Sequence, residues 1–281
     1  MIPVSVADAV QQYLAQIDRA LPSAVSGFYL VGSVALAAYQ EGRSDIDFIA
    51  VVGRDLGIPE LRRLRMEHLR SGLTTGARAL SHGQSPLSGT CNGVFIRSAD
   101  LPMPVNEIVP VASQVGSEFH AGRGGAELNP VGWKVLAERG IAIRGPRPEA
   151  LSLDPQPALL RAWNLANLES YWRPWTARVA QSPLAWFRLR PRWSTAWGVL
   201  GPPRLHHTIA TGDVISKEAA GGYALDMFDR RWHPLVRDAL AYWRREGRQV
   251  NLSPDERRDL TCDFVLEVID SAEALGARGT M

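Results

Sequence analysis

The chain has 281 residues, a net charge of +2 and 46% hydrophobic residues, which are the proportions of a globular protein able to bury a core. This composition excludes a disordered chain, and no apolar stretch of the sequence is long enough to predict a membrane span. The two cysteines, Cys91 and Cys262, lack partners at metal-binding spacing, so we expect neither a zinc site nor a disulfide framework.

The N-terminal twenty residues predict an amphipathic helix that carries Asp8 and Asp18. They lack the basic and apolar regions of a secretion signal, so we expect a cytoplasmic protein.

Residues 28–52, FYLVGSVALAAYQEGRSDIDFIAVV, contain the most informative pattern of the chain. It predicts a buried strand over residues 28–31, a tight turn at Gly32 and Ser33, and a short helix over residues 34–40. Asp45 and Asp47 then begin a second strand that continues to Val52, and the two-residue period of a strand points both carboxylates to one side.

Paired carboxylates next to a Gly-Ser turn are typical of a site that binds magnesium and phosphate. Magnesium is held by one or two carboxylates and completes its octahedron with water and phosphate oxygens, while a turn that opens a helix attracts phosphate. The order of these elements favours metal-dependent nucleotidyl transfer. The alternative is structural, because Gly-Ser turns are common and a DxD sequence also caps strands or binds calcium in surface loops.

The next segments complete an alternating pattern of helices and strands. We expect a helix over residues 58–71 that ends before Gly72, a loop over residues 74–89 and a strand over residues 93–97. A further helix begins at Asn129 and Pro130 and stops at Gly140. This pattern predicts a mixed sheet flanked by helices.

After residue 152 only helical patterns remain, with start signals at residues 154–155, 182–183 and 253–256, the last a capping box of Ser253 and Glu256. The proline-rich segment IRGPRPEALSLDPQP precedes them. We therefore expect an α+β protein with a first domain over residues 1–152 and an all-helical domain over residues 153–281 that closes a ligand-binding cleft.

Residues 156–192 contain six arginines, one acid and four tryptophans. Such a mixture binds single-stranded nucleic acid in some proteins. It also arises when tryptophans fill a helical core and arginine stems cover its rim, and we favour this second interpretation. We expect neither a nucleic-acid nor a membrane partner.

These motifs resemble the nucleotidyltransferase superfamily, and more closely the aminoglycoside adenylyltransferases that modify streptomycin and spectinomycin. The resemblance implies that Gly32 and Ser33 hold the triphosphate of ATP and that Asp45 and Asp47 hold Mg²⁺. The segment RLHHTIATGDVISKEAAGGYAL resembles a second family pattern, which implies that Arg204 and Lys217 contact nucleotide phosphates.

The residues of this second segment also predict local structure. Gly212 ends one helix and Ser216 caps the next, which places Lys217 in a first turn, where it either binds an anion or points to water. The adjacent His206 and His207 cannot share one helix face, so we expect core or hydrogen-bonded histidines, not metal ligands.

The chain departs from the family pattern at two places. Asn92 stands where the family supplies a third carboxylate as general base, so Glu118 or His120 takes the proton, the metal activates the hydroxyl unaided, or the protein is slow or inactive. Residues 201–203, Gly-Pro-Pro, interrupt what is a continuous helix in the family.

The resemblance and the motifs together predict transfer of AMP from ATP to a hydroxyl of a small molecule, with an aminoglycoside as the expected acceptor. Asp45, Asp47 and Glu118 are the predicted catalytic residues. Two alternatives stay open: another acceptor, such as a protein or a metabolite, and a nucleotide-binding protein with little catalysis.

Overall fold

The structure of the protein is a computed structural model that describes residues 1–81, 89–116, 118–122, 128–181, 191–247 and 249–278. The chain divides into two compact units, Met1–Gln156 and Pro157–Met281. The first contains a mixed sheet with helices and the second is helical, which confirms the predicted α+β class.

One sheet of six strands organises the described residues of the first unit. Its strands are β1 (Val25–Leu30), β2 (Ile46–Val52), β3 (Cys91–Arg97), β4 (Ala112–Val115), β5 (Glu118–Ala121) and β6 (Ile141–Arg144). They lie in the order β5-β4-β3-β2-β1-β6, with β2 and β3 parallel and the other neighbours antiparallel. The helices of this unit are α1 (Val4–Ala20), α2 (Gly32–Ala35), α3 (Ile58–Ser81) and α4 (Pro130–Arg139). The parallel pair requires a crossover connection, and α3 lies within it.

Aromatic side chains fill one face of this sheet. Phe28 and Phe48 stack with ring centroids 4.7 Å apart, and Phe95 meets Phe48 edge-on at 5.5 Å. Tyr13 of α1 packs over Phe48 at 5.5 Å. Because side chains alternate along a strand, the aromatic position of Phe48 in β2 directs its neighbour Asp47 to the opposite face.

Two predicted helices of this unit have wrong boundaries. The helix expected over residues 34–40 is instead α2, which begins at Gly32 and ends at Ala35, because Ala37 adopts a φ of +53° that breaks the helix. The helix expected to end before Gly72 continues as α3 to Ser81. Gly72 costs about 1 kcal/mol of helix propensity, but this does not end the helix. A Cβ there would lie 3.5 Å from the Gly116 carbonyl, at ordinary contact distance. The loop expected over residues 74–89 is therefore helical to Ser81, and its residues 82–88 lie outside the described residues.

The strands β1 and β3 begin earlier than predicted, at Val25 and Cys91. The helix α4 has the predicted bounds, with the Asn129 side chain accepting hydrogen bonds from the amides of Val131 and Gly132.

The second unit is a packed set of helices. They are α5 (Pro157–Asn167), a π-helical turn (Leu168–Trp172), α6 (Arg173–Gln181), α7 (Pro191–Leu200), α8 (Pro202–Thr211), α9 (Lys217–Met227), α10 (His233–Trp243) and α11 (Pro254–Arg278). The predicted capping box precedes α11, since Ser253 N donates to Glu256 Oε2 at 2.8 Å and Glu256 N donates to Ser253 Oγ at 3.2 Å. The start signal at residues 154–155 lies just before α5, and the one at residues 182–183 lies outside the described residues.

Tryptophans form part of the core of this unit. Trp172 is 4% exposed and lies 5.6 Å from Trp175 and 5.9 Å from Trp197, ring centroid to ring centroid. Arg161 donates to the carbonyls of Ile209 and Leu275, and Arg173 pairs with acids of α11. The segment over residues 156–192 thus contributes core and internal polar contacts, although Trp186, Arg188 and Arg190 lie outside the described residues.

In the part of the chain that the structure describes, no helix has the combination of length and apolar character that a bilayer crossing requires. Cys91 and Cys262 are both buried free thiols.

Candidate active site

The turn after β1 is held against β2 by backbone and side-chain contacts. The Val31 amide donates to the Asp47 carbonyl at 2.9 Å, and Gly32 adopts a φ of +54°. A Cβ on Gly32 would lie only 1.8 Å from Asp47 Oδ2. A glycine is therefore required twice, for the backbone angle and for the space that the Asp47 carboxylate occupies.

The Asp45, Asp47 and Asn92 side chains converge at the start of the parallel strand pair. Asp47 is the register partner of Asn92, and partners in parallel strands direct their side chains to the same face. Asn92 Nδ2 donates to Asp45 Oδ2 at 2.8 Å, which joins Asp45 to the same group. The two carboxylates, both half-buried, thus share one side of the sheet and one neighbour.

The Ser33 hydroxyl is buried and has no hydrogen-bond partner among the described residues. An unpartnered buried hydroxyl costs free energy, on the order of 1–3 kcal/mol. It lies one residue from Gly32, which contacts the Asp47 carboxylate. A ligand oxygen at the turn would satisfy this hydroxyl, so its position fits a phosphate-binding role.

Asn92 is held from two sides. While its Nδ2 donates to Asp45, its Oδ1 accepts from the Gly116 amide at 3.0 Å, and its side chain is buried. Gly116 follows β4 in the tight turn to β5 and has a φ of +58°. The sequence interpretation did not include Gly116, although Gly-Ser between the short segments ASQV and EFHA is a hairpin signal.

Two protonated groups surround the carboxylates. Burial raises the pKa of the Cys91 thiol to about 12, with a further contribution from the charge of Asp47. Burial also raises the pKa of Tyr39 to about 12, assisted by the charges of Glu41 and Asp45. Both groups are therefore neutral at pH 7.

Glu118 and His120 lie on the edge strand β5. The Glu118 side chain is 76% exposed, and its Oε2 lies 3.5 Å from His120 Nε2. Glu118 thus lies beside His120 on an exposed strand. The general-base role of Glu118 stays a prediction.

Arg204 and Lys217 belong to the second unit. Arg204 Nε donates to the Ile215 carbonyl at 3.1 Å, while Lys217 Nζ lies 4.6 Å from the ring centroid of Trp243 and 5.2 Å from that of Trp197. Their role at nucleotide phosphates stays a prediction.

The local structure around these two residues agrees with the sequence. Gly212 ends α8 with a φ of +78°, and the Ser216 side chain caps α9. The helices α7 and α8 are separate, as Gly201, Pro202 and Pro203 predict.

The adjacent histidines serve the helical core. His206 is 1% exposed and lies within hydrogen-bonding distance of Tyr223 Oη at 2.7 Å and Ser271 Oγ at 3.0 Å. His207 Nδ1 lies 3.2 Å from the Asp213 carbonyl oxygen.

The donor set at the start of the central strands β2 and β3 fits magnesium better than a softer metal. Its oxygens come from Asp45 and Asp47, and Asp45 keeps Oδ1 in addition to the oxygen that Asn92 contacts. In the described ranges, no group of three or more His, Cys, Asp or Glu side chains is arranged so that it could hold a metal ion by itself. Magnesium needs only one or two carboxylates when phosphate oxygens complete its coordination.

Spectinomycin adenyltransferase AAD(9) from Enterococcus faecialis, solved with ATP and spectinomycin, has a similar structure. The match has a TM-score of 0.65 at 16% sequence identity and covers 94% of this chain and 99% of that chain. No protein-family model matches the chain, and no curated protein matches it significantly in sequence. The chain therefore shares the fold of an aminoglycoside adenylyltransferase without close sequence similarity.

Proposed function

We propose that the protein is a nucleotidyltransferase that moves AMP from ATP to a hydroxyl of a small molecule, with Mg²⁺ held by Asp45 and Asp47. One observation carries the proposal: the Asp47 carboxylate lies against Gly32, and the following residue, Ser33, has a buried hydroxyl without a hydrogen-bond partner in the described part of the chain. A cation site and a phosphate-binding turn in contact are the two parts that this chemistry needs.

The protein groups act mainly by positioning. The Gly32 turn and the Ser33 hydroxyl would hold triphosphate oxygens, while Asp45 and Asp47 would hold the metal. Magnesium, when bound, supplies positive charge that stabilises the negative charge developing on phosphate oxygens. The acceptor hydroxyl gives its proton to the proposed base, Glu118, and its oxygen forms a bond to the α-phosphorus. The bond from that phosphorus to the oxygen that bridges it to the β-phosphorus breaks, and pyrophosphate leaves with the electron pair.

The fold supports ATP as the donor and an aminoglycoside as the acceptor, because AAD(9) was solved with ATP and spectinomycin. Under this proposal Arg204 and Lys217 keep the phosphate-binding role that the resemblance implies, and Glu118 remains the proposed base. These assignments are part of the proposal and follow from family resemblance, not from contacts in the structure.

A pyrophosphate-release assay tests the proposal. Protein, ATP and Mg²⁺ are incubated with spectinomycin, streptomycin and other aminoglycosides, and the drug is analysed by mass spectrometry for an added AMP. We expect Asp47→Ala to lower the rate at least about a hundredfold, since it removes a metal ligand. Asp55→Ala is the matched control, because Asp55 is exposed, pairs with Arg97 and should leave the rate unchanged. Equal rates in wild type and Asp47→Ala would refute the site.

The geometry of Asn92 favours a second candidate, a nucleotide-binding protein with little turnover. Its amide is committed to Asp45 and to the Gly116 amide and cannot accept a proton from a hydroxyl. This candidate predicts Mg²⁺-dependent ATP binding by calorimetry without pyrophosphate release for any acceptor. Turnover with any acceptor would exclude it.

A further inference from the structure

We infer that Asn92 is a positioning residue that fixes the Asp45 carboxylate for metal binding. The inference rests on the proposed function and adds a role for a position that the family resemblance marks only as a missing base. Its basis is the pair of hydrogen bonds that the Asn92 amide makes, one to a proposed metal ligand and one to the backbone of a glycine turn.

The two hydrogen bonds determine the orientation of the amide. Only the NH₂ group can donate to the Asp45 carboxylate, and only the carbonyl oxygen can accept from the Gly116 amide. If the amide were flipped, its oxygen would face the Asp45 carboxylate and its NH₂ group would face the Gly116 N–H, and neither contact could be a hydrogen bond. The Asp45 carboxylate is thus contacted through Oδ2, which leaves Oδ1 for a cation.

Gly116, which donates to Asn92, packs against the helix α3. Gly116 has a φ of +58°, which favours glycine, and its carbonyl lies close to Gly72 of α3. One helical turn earlier, the buried ring of His68 lies beside the backbone of Gly116 and Glu118. The turn that orients Asn92 is therefore packed against a long helix, so the amide has little freedom to move away from Asp45.

A neutral asparagine suits position 92 better than a carboxylate would, because two carboxylates already lie beside it. Asn92 is the direct register partner of Asp47 and contacts Asp45, so a carboxylate there would add a third negative charge beside two others. The neutral amide instead gives Asp45 a donor and orients it. Groups that orient a metal ligand in this way affect metal affinity about 10- to 100-fold when they are removed.

Binding of Mn²⁺ alone tests the inference without any need for activity. The Kd is measured by electron paramagnetic resonance of free Mn²⁺ for wild type, Asn92→Ala, Asp45→Ala and the double variant. We expect Asn92→Ala to raise the Kd at least about tenfold. In the Asp45→Ala background the same substitution should change the Kd less than twofold, because Asn92 would act through Asp45.

The matched control is Asn164→Ala in the second unit. Asn164 is also a buried asparagine, 1% exposed, whose Nδ2 donates to the Leu160 carbonyl. Its replacement should lower the thermal midpoint and leave the Mn²⁺ Kd unchanged. If Asn92→Ala does not fold, Asn92→Ser is used in its place. The serine side chain is too short to reach Asp45, so we expect the same rise in the Mn²⁺ Kd.

The outcomes separate the inference from the proposed function. Wild-type protein that binds no Mn²⁺ would overturn the proposed function and this inference with it. Wild-type binding with a Kd that Asn92→Ala changes less than twofold would overturn the inference alone. Independent, additive effects of the Asn92 and Asp45 substitutions would also overturn it, because Asn92 would then act by another route.

Discussion

Gly32 occupies a position that no other residue can take without moving Asp47. We expect Gly32→Ala to abolish Mn²⁺-dependent nucleotide binding, because its Cβ would displace the Asp47 carboxylate, which lies 1.8 Å from the Cβ position. The positive φ adds about 1 kcal/mol or more of strain. Calorimetry with an ATP analogue and Mn²⁺ measures the binding. Gly53→Ala is the control, since a Cβ there meets nothing within 4 Å and binding should persist. Unchanged binding in Gly32→Ala would contradict the site.

His206 gives the second residue-scale prediction, a pH-dependent stability. Burial, with a smaller contribution from His207, lowers the pKa of His206 to about 4. In the unfolded chain its pKa is about 6.5, so the unfolded state binds a proton first. The stability is therefore fully present above pH 6.5 and is lost as the pH falls towards 4, by about 3 kcal/mol in total.

Urea denaturation between pH 7 and pH 4 tests this expectation. His206→Gln should show a smaller loss of unfolding free energy over this range than wild type does, because glutamine does not titrate. His207→Gln, on the same helix, should keep the wild-type loss since it retains His206. If the unfolding free energies of wild type and His206→Gln fell equally with pH, His206 would not be the titrating group.

At the scale of single elements, an ion pair in the second unit joins two helices. Asp238 of α10 is 0% exposed and Arg257 of α11 is 1% exposed, with 2.5 Å between Asp238 Oδ2 and Arg257 Nη1. Although burial opposes ionisation, hydrogen bonds from the Gln249 amide and from Arg257 lower the pKa of Asp238. The pair is therefore charged at neutral pH and holds the segment before α11.

Removing one partner leaves the other charge buried. We expect Asp238→Ala and Arg257→Ala each to lower the free energy of unfolding by about 3–5 kcal/mol, with a smaller loss in the double variant than the sum of the two. Arg258→Ala is the control, because Arg258 forms solvent-exposed pairs with Asp255 and Asp259, and such pairs contribute little to stability. Urea titration gives all four values. An equal effect of Arg257→Ala and Arg258→Ala would show that the buried pair has no special role.

The elements that the sequence predicted well have strong local signals. The strand β2 is a long apolar run with Asp47 near its start, and α4 has Asn129, Pro130 and Gly140 at its ends. The strands β4, β5 and β6 have only four residues each. Although β4 and β5 form a local hairpin, the pairing of β4 with β3 and of β6 with β1 depends on distant segments. The helix α3 continues past its expected end, because a single glycine weakens a helix without necessarily ending it.

The candidate site shows the same division between local and distant signals. Gly32, Ser33, Asp45 and Asp47 lie within sixteen residues of sequence and could be proposed from spacing alone. The link from Asp45 through Asn92 to Gly116 joins three separate segments. It depends on the parallel register of β2 and β3, which could not be read from the sequence.

At the scale of the whole molecule, the structural likeness to AAD(9) extends over 94% of the chain and so includes residues of both units. The small net charge of +2 is consistent with a small-molecule acceptor and does not by itself indicate nucleic acid. The arginines that raised this alternative include Arg161, which donates to two backbone carbonyls, and Arg173, which forms exposed ion pairs with acids of the second unit. The functional conclusion therefore depends on the site at the start of β2 and β3 and not on bulk charge.

The most direct measurement is an anomalous diffraction map of crystals grown with Mn²⁺ and a non-hydrolysable ATP analogue. We predict an anomalous peak at coordination distance from carboxylate oxygens of both Asp45 and Asp47, with phosphate oxygens of the analogue at Gly32 and the Ser33 hydroxyl. A nucleotide bound elsewhere, or bound at the turn while both aspartates lack metal, would contradict the proposed activity.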